Sequence, residues 1–335
     1  MAVTARDVAK VAGVSQRTVS DVVNLPNRVG AETRKRVQAV IDELGYRPNP
    51  HARGLRTRRT GVIAFVVPEL DIPYFSDLAR SLIPELDQRS LTLVVDQTNG
   101  DASRERAVLQ GGSVSASFDG VLLNALSLTA ADIEAAAAAQ PIVLLGEEDY
   151  GPSVDQIAVD GVEAAYVATR HLVESGRTRL AAIGRQSREA GTTAQREAGF
   201  VRAMTEAGLD PFRYMSRVEY TRESGASAMR EMLERPDPPD GVFCFNDLLA
   251  LGAMRAAWER GMDIPNQIAF VGFDDIQDGR FAMPSLSTIA PDKSAIARRA
   301  VEMLTERIAG YDGPGRREQA GFRLLVRESS APALR

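Results

Sequence analysis

The sequence predicts a small all-α helix-turn-helix head followed by an α/β core of two doubly wound, parallel-sheet lobes. Three observations carry this. Residues 1–60 hold 12 Lys+Arg against 5 Asp+Glu, whereas the other 275 hold 28 against 40, so the overall charge of −5 conceals a segregated basic module. Near the start, two short helical patterns flank a tight Ala12-Gly13-Val14 turn. From Gly61 onward, short apolar runs alternate with helix-periodic stretches, the pattern of parallel strands joined by helices, over a length that suits two lobes better than one.

In the head, Thr4 can cap a first helix with Val8, Ala9 and Val11 on its apolar face, and Gly13 can end it by taking positive φ. Ser15 caps a second helix, which buries Val19, Val22 and Val23, exposes Gln16, Arg17, Ser20 and Asp21, and stops before the Asn24 to Asn27 stretch with Pro26. Such a pair is a helix-turn-helix, whose second helix docks in the major groove of DNA. A third helix runs from about Ala31 to Leu44, with Val37, Val40, Ile41 and Leu44 at helical spacing and Gly45 as its C-cap. Its Arg34, Lys35 and Arg36 are available to phosphates. Asn49-Pro50 can then start a short helix in the segment 49–60. The alternative for the same segment, with Arg53, Arg56, Arg58 and Arg59, is a plain basic linker.

In the core, the expected strands are Val62 to Val67, Leu91 to Val95, Gly120 to Leu123, Ile142 to Leu145, Ile157 to Val159, Leu180 to Ile183, Ser216 to Glu219, Val242 to Phe245 and Ile268 to Val271. Helical periodicity occupies Tyr74 to Gln88, Asp132 to Ala139, Gly161 to Ser175, Ala194 to Ala207, Glu223 to Arg235 and Asp247 to Arg260. Doubly wound lobes gather their ligands at the carboxyl ends of the strands.

Several function classes drop out. One cysteine, Cys244, excludes an internal disulfide, and its apolar flanks make it an inert strand residue. There is no apolar leader and no run of about 18 apolar residues, so a cytoplasmic location is expected and a membrane is not. No phosphate-cradling or dinucleotide glycine motif and no nucleophile elbow occurs, and two histidines cannot build a metal cluster. No enzyme activity, cofactor or metal is expected. A solute-binding protein would share the core, but it would carry a leader in place of the basic head.

The stretch Asp7 to Ser20 reads D-V-A-x-x-A-G-V-S-x-x-T-V-S, and Val23-Asn24, the T-R-x-x-V of Thr33 to Val37 and the L-G-Y-x-P-N of Leu44 to Asn49 follow it. Together they resemble the LacI/GalR family of bacterial transcription regulators. Asn246-Asp247 to Arg255, Ile264-Pro265, Val271 to Asp275 and Leu286 to Ile289 extend the resemblance over the core. It implies a type I periplasmic-binding-protein-like core whose chain crosses between lobes three times. The resulting domains are a head at 1–48, a hinge at 49–60 and a core at 61–335. One lobe would span about 61–160 and 291–320, the other about 161–290 and 321–335.

The resemblance also implies a homodimeric repressor on a pseudo-palindromic double-stranded operator, controlled by a small-molecule effector, a sugar first, with a nucleobase or other corepressor, or an activator, as the alternatives. The DNA-facing set it implies is Thr4, Ser15, Gln16, Arg17, Thr18, Ser20, Asp21, Asn24, Arg28 and Thr33 in the head, with Asn49, Ala52, Arg53 and Leu55 in the hinge. Arg17 can bond guanine O6 and N7, and Gln16 adenine N6 and N7. Leu55 would wedge into a minor-groove step, a recognised use of apolar side chains. Asp21 departs from many relatives and disfavours phosphate.

For the effector, the candidates are Arg196, Asn246 and Asp274, whose guanidinium, amide and carboxylate together donate to and accept from vicinal hydroxyls. Phe75 and Tyr220 offer aromatic faces, and Asp160 is a weaker candidate because Gly161 follows it. Plainer roles exist for the same residues: a turn carboxylate at Asp274, a helix cap at Asn246, a surface ion pair at Arg196, core packing at Phe75. Gly146 stands where several relatives place an acid, with Glu147 and Glu148 next to it.

Overall fold

The computed structural model describes residues 3–24, 26–46, 59–110, 118–185 and 191–331. The chain divides into two units, Met1–Gly61 and Val62–Arg335.

The first unit holds α1 (Ala5–Ala12), α2 (Gln16–Asn24) and α3 (Ala31–Leu44). Thr4 donates its amide and hydroxyl to Asp7 Oδ2 at 2.9 and 2.6 Å, which pulls the Asp7 carboxyl below its ordinary pKa. Gly13 turns the chain at φ 63°, where an L side chain is strained, and returns its N–H to Ala9 O. Ser15 Oγ accepts from Thr18 N at 3.0 Å, the expected cap of α2. Val8, Val19, Val22, Val37, Val40 and Ile41 form the shared core. Val11 does not join it and is 57% exposed. The buried stripe of α1 is Val8, Ala9 and Ala12, and at 100° per residue Val11 lies about 60° from Val8 in the direction away from Ala9 and Ala12.

In the second unit, one sheet has the order β11-β5-β4-β3-β1-β2, built from β1 (Val62–Val67), β2 (Thr92–Gln97), β3 (Gly120–Leu123), β4 (Ile142–Leu145), β5 (Asp155–Val159) and β11 (Arg317–Ala320). All its strand pairs are parallel. The other sheet runs β12-β10-β9-β8-β6-β7, from β6 (Leu180–Arg185), β7 (Met215–Arg217), β8 (Gly241–Cys244), β9 (Ala269–Phe273), β10 (Ser287–Pro291) and β12 (Phe322–Leu325). Only the β10–β12 pair at its edge is antiparallel. The chain passes from sheet to sheet after β5, after β10 and after β11.

Parallel sheets are covered on both faces, which is why these strands read as continuous apolar runs. In β1, Ile63, Phe65 and Val67 pack with Leu78, Leu82 and Leu86 of α4 (Pro73–Asp87). Ala64 and Val66 face the opposite side, with Val108 of α5 (Ala102–Leu109) and Ile133 of α6 (Ala130–Ala139). The second lobe is flanked by α7 (Gly161–Glu174), α8 (Gly191–Glu206), α9 (Arg222–Leu233), α10 (Asp247–Glu259) and the short α11 (Gln277–Phe281), while α12 (Lys293–Ile308) returns to pack on the first. The alternation in the sequence leaves helices α5, α11 and α12 and strands β10, β11 and β12 unmarked. The strand expected at Ser216 to Glu219 is shorter and earlier, Met215–Arg217. Among the described residues no helix is long and apolar enough to cross a membrane.

Candidate functional site

A cavity of about 600 Å³ lies between the two sheets of the core. Its walls are the segments that leave the carboxyl ends of strands: Glu69 after β1, Asn124 after β3, Glu147 after β4, Tyr220 after β7, Asn246 after β8 and Asp274 after β9. Both lobes therefore contribute, as the doubly wound topology requires of a ligand site.

Arg196 sits near the middle of α8 and is 6% exposed. Its guanidinium donates to Phe245 O and, at 3.3 Å, to Glu147 Oε1, and it stacks on the Phe273 ring at 3.5 Å. Burial alone would favour its neutral form, but the carboxylates of Glu147 and Asp274 outweigh that and hold its pKa above the ordinary value. Instead of a surface ion pair, Arg196 thus makes a buried one that joins the lobes. Two polar atoms of this pair, Glu147 Oε2 and Arg196 Nε, are buried without a hydrogen-bond partner among the described residues. Buried orphans of this kind call for a ligand or water.

Asp274 opens the turn after β9 at φ 113°, and Asp275 follows at φ 49°. Positive φ in a non-glycine residue is strained and persists only where the surroundings enforce it. Here Asp274 N donates to Ile289 O at 2.9 Å, and Asp275 is gripped by Arg280 at 2.7 Å and Arg327 at 2.6 Å. The turn aims the Asp274 carboxylate into the cavity, where burial raises its pKa to about 7 against the pull of Arg196 and Lys293.

Asn246 serves two roles: it lines the cavity, and its Oδ1 accepts from Leu249 N at 2.9 Å as the cap of α10. Tyr220 lines the wall opposite the first lobe, its hydroxyl 3.2 Å from Thr193 Oγ1, and burial pushes its pKa up to about 12. Phe75 is 7% exposed and both packs in the core and meets the cavity, edge-on to Tyr74 at 5.4 Å. Asp160 is not among the lining residues. Its side chain accepts from Glu163 N at 2.9 Å and caps α7.

The structure thus brings together five of the six effector candidates and sets Asp160 apart. It adds Tyr74, Glu147 and Phe273, which sequence reasoning did not choose. The signal for Glu147 is an acid directly after an apolar strand. Gly146 precedes it at φ 137°, a conformation in which an L side chain would be strained.

In the head, Thr4, Ser15, Gln16, Arg17 and Arg28 are exposed, and Thr18, Ser20, Asp21 and Thr33 are half-buried. Gln16 and Arg17 occupy the exposed first turn of α2, and Arg17 lies 3.9 Å from Asp21 with 88% of its side chain exposed. Asn24 closes α2. Asn49, Ala52, Arg53 and Leu55 lie outside the described residues.

Residues 4–49 match the family described as "Bacterial regulatory proteins, lacI family", and residues 169–330 match a "Periplasmic binding protein-like domain". The chain is 31% identical over 329 residues to the HTH-type transcriptional repressor PurR of Mannheimia succiniciproducens, covering 97% of this chain and 98% of that one. Among solved structures it is similar to the Lac repressor dimer bound to operator and the anti-inducer ONPF, with a TM-score of 0.87, 26% identity and coverage of 98% and 99%. It is also similar to the complex of the transcriptional regulator CelR with cellobiose, with a TM-score of 0.70, 30% identity and coverage of 98% and 100%.

Proposed function

The chain belongs to the LacI family of bacterial regulatory proteins, a DNA-binding, repressor-like transcriptional regulator and not an enzyme, and from that premise we propose that a sugar bound between its lobes sets its affinity for operator DNA. The observation that carries this reading is the cavity of about 600 Å³ in which a guanidinium, an amide and a strained, buried carboxylate converge beside aromatic rings. That set of donors and acceptors suits vicinal hydroxyls, and the rings suit the C–H face of a sugar. The cellobiose complex of CelR is consistent with a sugar. A nucleobase is the second reading, favoured by the PurR relatives at 31–34% identity, and the Tyr220 and Phe75 rings that line the cavity serve it as well.

On this reading the head, 1–48, reads base edges with Gln16 and Arg17, while Thr4, Ser15, Thr18, Ser20, Asp21, Asn24, Arg28 and Thr33 complete the contact surface. The hinge, 49–60, carries Asn49, Ala52, Arg53 and the wedge Leu55. The core, 61–335, binds effector and dimerises, and the protein works in the cytoplasm, where its operator is. A homodimer on two half-sites follows from two-fold symmetry. It is supported by an exposed apolar pair on the second lobe, Phe281 at 81% and Met283 at 95%, beside a shallow pocket lined by Leu251 and Ala282.

The test is operator selection from a random double-stranded pool at near-physiological salt, repeated with sugars and nucleobases. A palindrome whose recovery one sugar reduces is the expected result. Loss only with nucleobases would favour the second reading, and no enrichment under any condition would refute sequence-specific control by the head.

A further inference from the structure

We propose that the cleft selects an amine-bearing polyhydroxy ligand, an amino sugar or amino polyol, over its neutral parent, and excludes phosphorylated or carboxylated counterparts. The inference rests on the reading of the cleft as the effector site.

Charge is the first argument. The carboxylates of Glu69, Glu147, Glu148, Glu219 and Asp274 line the cavity, and among the described lining residues Arg196 alone is cationic. That one cation is already engaged by Phe245 O, by Glu147 and by the face of Phe273. Lys293, behind the wall, is held by Asp77 at 2.9 Å and by Asp275 O at 3.2 Å. Among the described residues, a phosphate or carboxylate would therefore enter a low-dielectric space of its own sign whose one lining cation is already held by a carboxylate and a carbonyl, with only its Nε–H unpartnered.

Unmet hydrogen bonding is the second argument, and it is independent of the net charge. Glu147 is 7% exposed, and its Oε2 is buried without a donor among the described residues. Asp274, 8% exposed, makes no side-chain hydrogen bond among the described residues. Two buried acceptors on opposite lobes ask for a ligand that donates to both, and N⁺–H to carboxylate is the stronger of the available donors.

Glu69 belongs to the first lobe and Glu219 to the second, and partial burial, Asp71 and Glu219 together hold the Glu69 carboxyl above its ordinary range. The two walls thus repel each other, and a cation between them relieves that repulsion. Asp274, which faces Arg196, Lys293, Glu147 and Asp77, gives up its proton more readily beside an ammonium, so binding of the amine strengthens as pH rises toward about 7, for as long as the ligand keeps its own proton.

The experiment uses the full chain with matched sets titrated by calorimetry and thermal shift: glucosamine, glucose and glucose 6-phosphate, then galactosamine, galactose and galacturonate. In whichever set binds, the amine should exceed the neutral sugar by about tenfold or more and the anion should be silent. The amine-to-neutral ratio should fall toward one in Glu147→Gln, and in Glu219→Gln should the first variant not fold. Equal or tighter binding by the neutral or anionic member overturns the charge rule and leaves the sugar reading intact. Silence of every member overturns both.

Discussion

Arg196 in α8 of the second lobe donates to Glu147 of the first at 3.3 Å, and this buried ion pair spans the cleft that a ligand would fill. Among the described residues both partners retain an unpartnered polar atom, so within that set the pair is half-satisfied. A ligand that supplies a donor to Glu147 or an acceptor to Arg196 competes with or completes the contact. Either way it changes the relative free energy of the lobe arrangements, which is what an effector must do to be felt at the DNA.

Removing one side of this pair leaves the other charged and buried. Arg196→Met is expected to lower core stability by about 3 to 5 kcal/mol, and the double variant Glu147→Gln/Arg196→Met to recover a large part of that. Denaturant unfolding of the four members of the cycle provides the measurement. Additive losses would mean that the two side chains are not coupled. Arg196→Met should also lose effector response while still binding operator, and a normal response would place the effector elsewhere.

Asp274 gives a pH signature. Its ordinary pKa is 3.8 and burial raises it to about 7 in the fold. Between those values the folded core holds a proton that the unfolded chain has released, so this group's contribution to stability is complete below about pH 4 and lost as pH rises through about 7. Asp274→Asn should flatten that part of the decline, read as melting temperature from pH 4.5 to 8. An unchanged profile would show that Asp274 titrates normally.

Much of this architecture was legible from periodicity, because strands buried on both faces are written as unbroken apolar runs. Amphipathic helices such as Ala31–Leu44 were legible for a similar reason. The helix Lys293–Ile308 was not, since its buried Ile296, Val301 and Leu304 are spaced among Arg298, Arg299 and Glu302, and nothing local says which sheet it covers. The site was legible where chemistry and strand ends coincide, as at Asn246 and Asp274. Asp160 fits the same rule yet faces its own helix, because a carboxylate at a strand end can cap instead of lining a cleft. Glu147 was hidden because its partner is 49 residues away on another lobe, a pairing that only the closed topology creates.

In the head, Arg17 is 88% exposed and its contact to Asp21 is long at 3.9 Å, so the pair costs little to break on DNA. Arg17→Ala is expected to relax preference at one base pair in each half-site by about 1 to 3 kcal/mol. Asp21→Asn should instead raise affinity across sequences by removing a charge that repels phosphate. Selection profiles of the two variants decide the matter, and an unaltered profile for Arg17→Ala removes it from base readout.

The last prediction concerns assembly. Phe281 and Met283 stand 81% and 95% exposed at the end of α11, next to the hollow bordered by Arg222 and Leu251. Large apolar side chains left this open invite a cover, and on the proposed reading of two half-sites the fitting cover is the same surface of a second copy. A charge placed there would face its own symmetry mate, so Met283→Asp should weaken the dimer far more than it alters the fold of the lone core. Sedimentation over a concentration series should then show monomer where the parent chain is dimeric, with operator affinity falling in step because each head binds a half-site alone. An unshifted dimer in Met283→Asp, or a parent chain that is a stable tetramer at low concentration, would rule out this face as the dimer interface or the dimer as the working form, respectively.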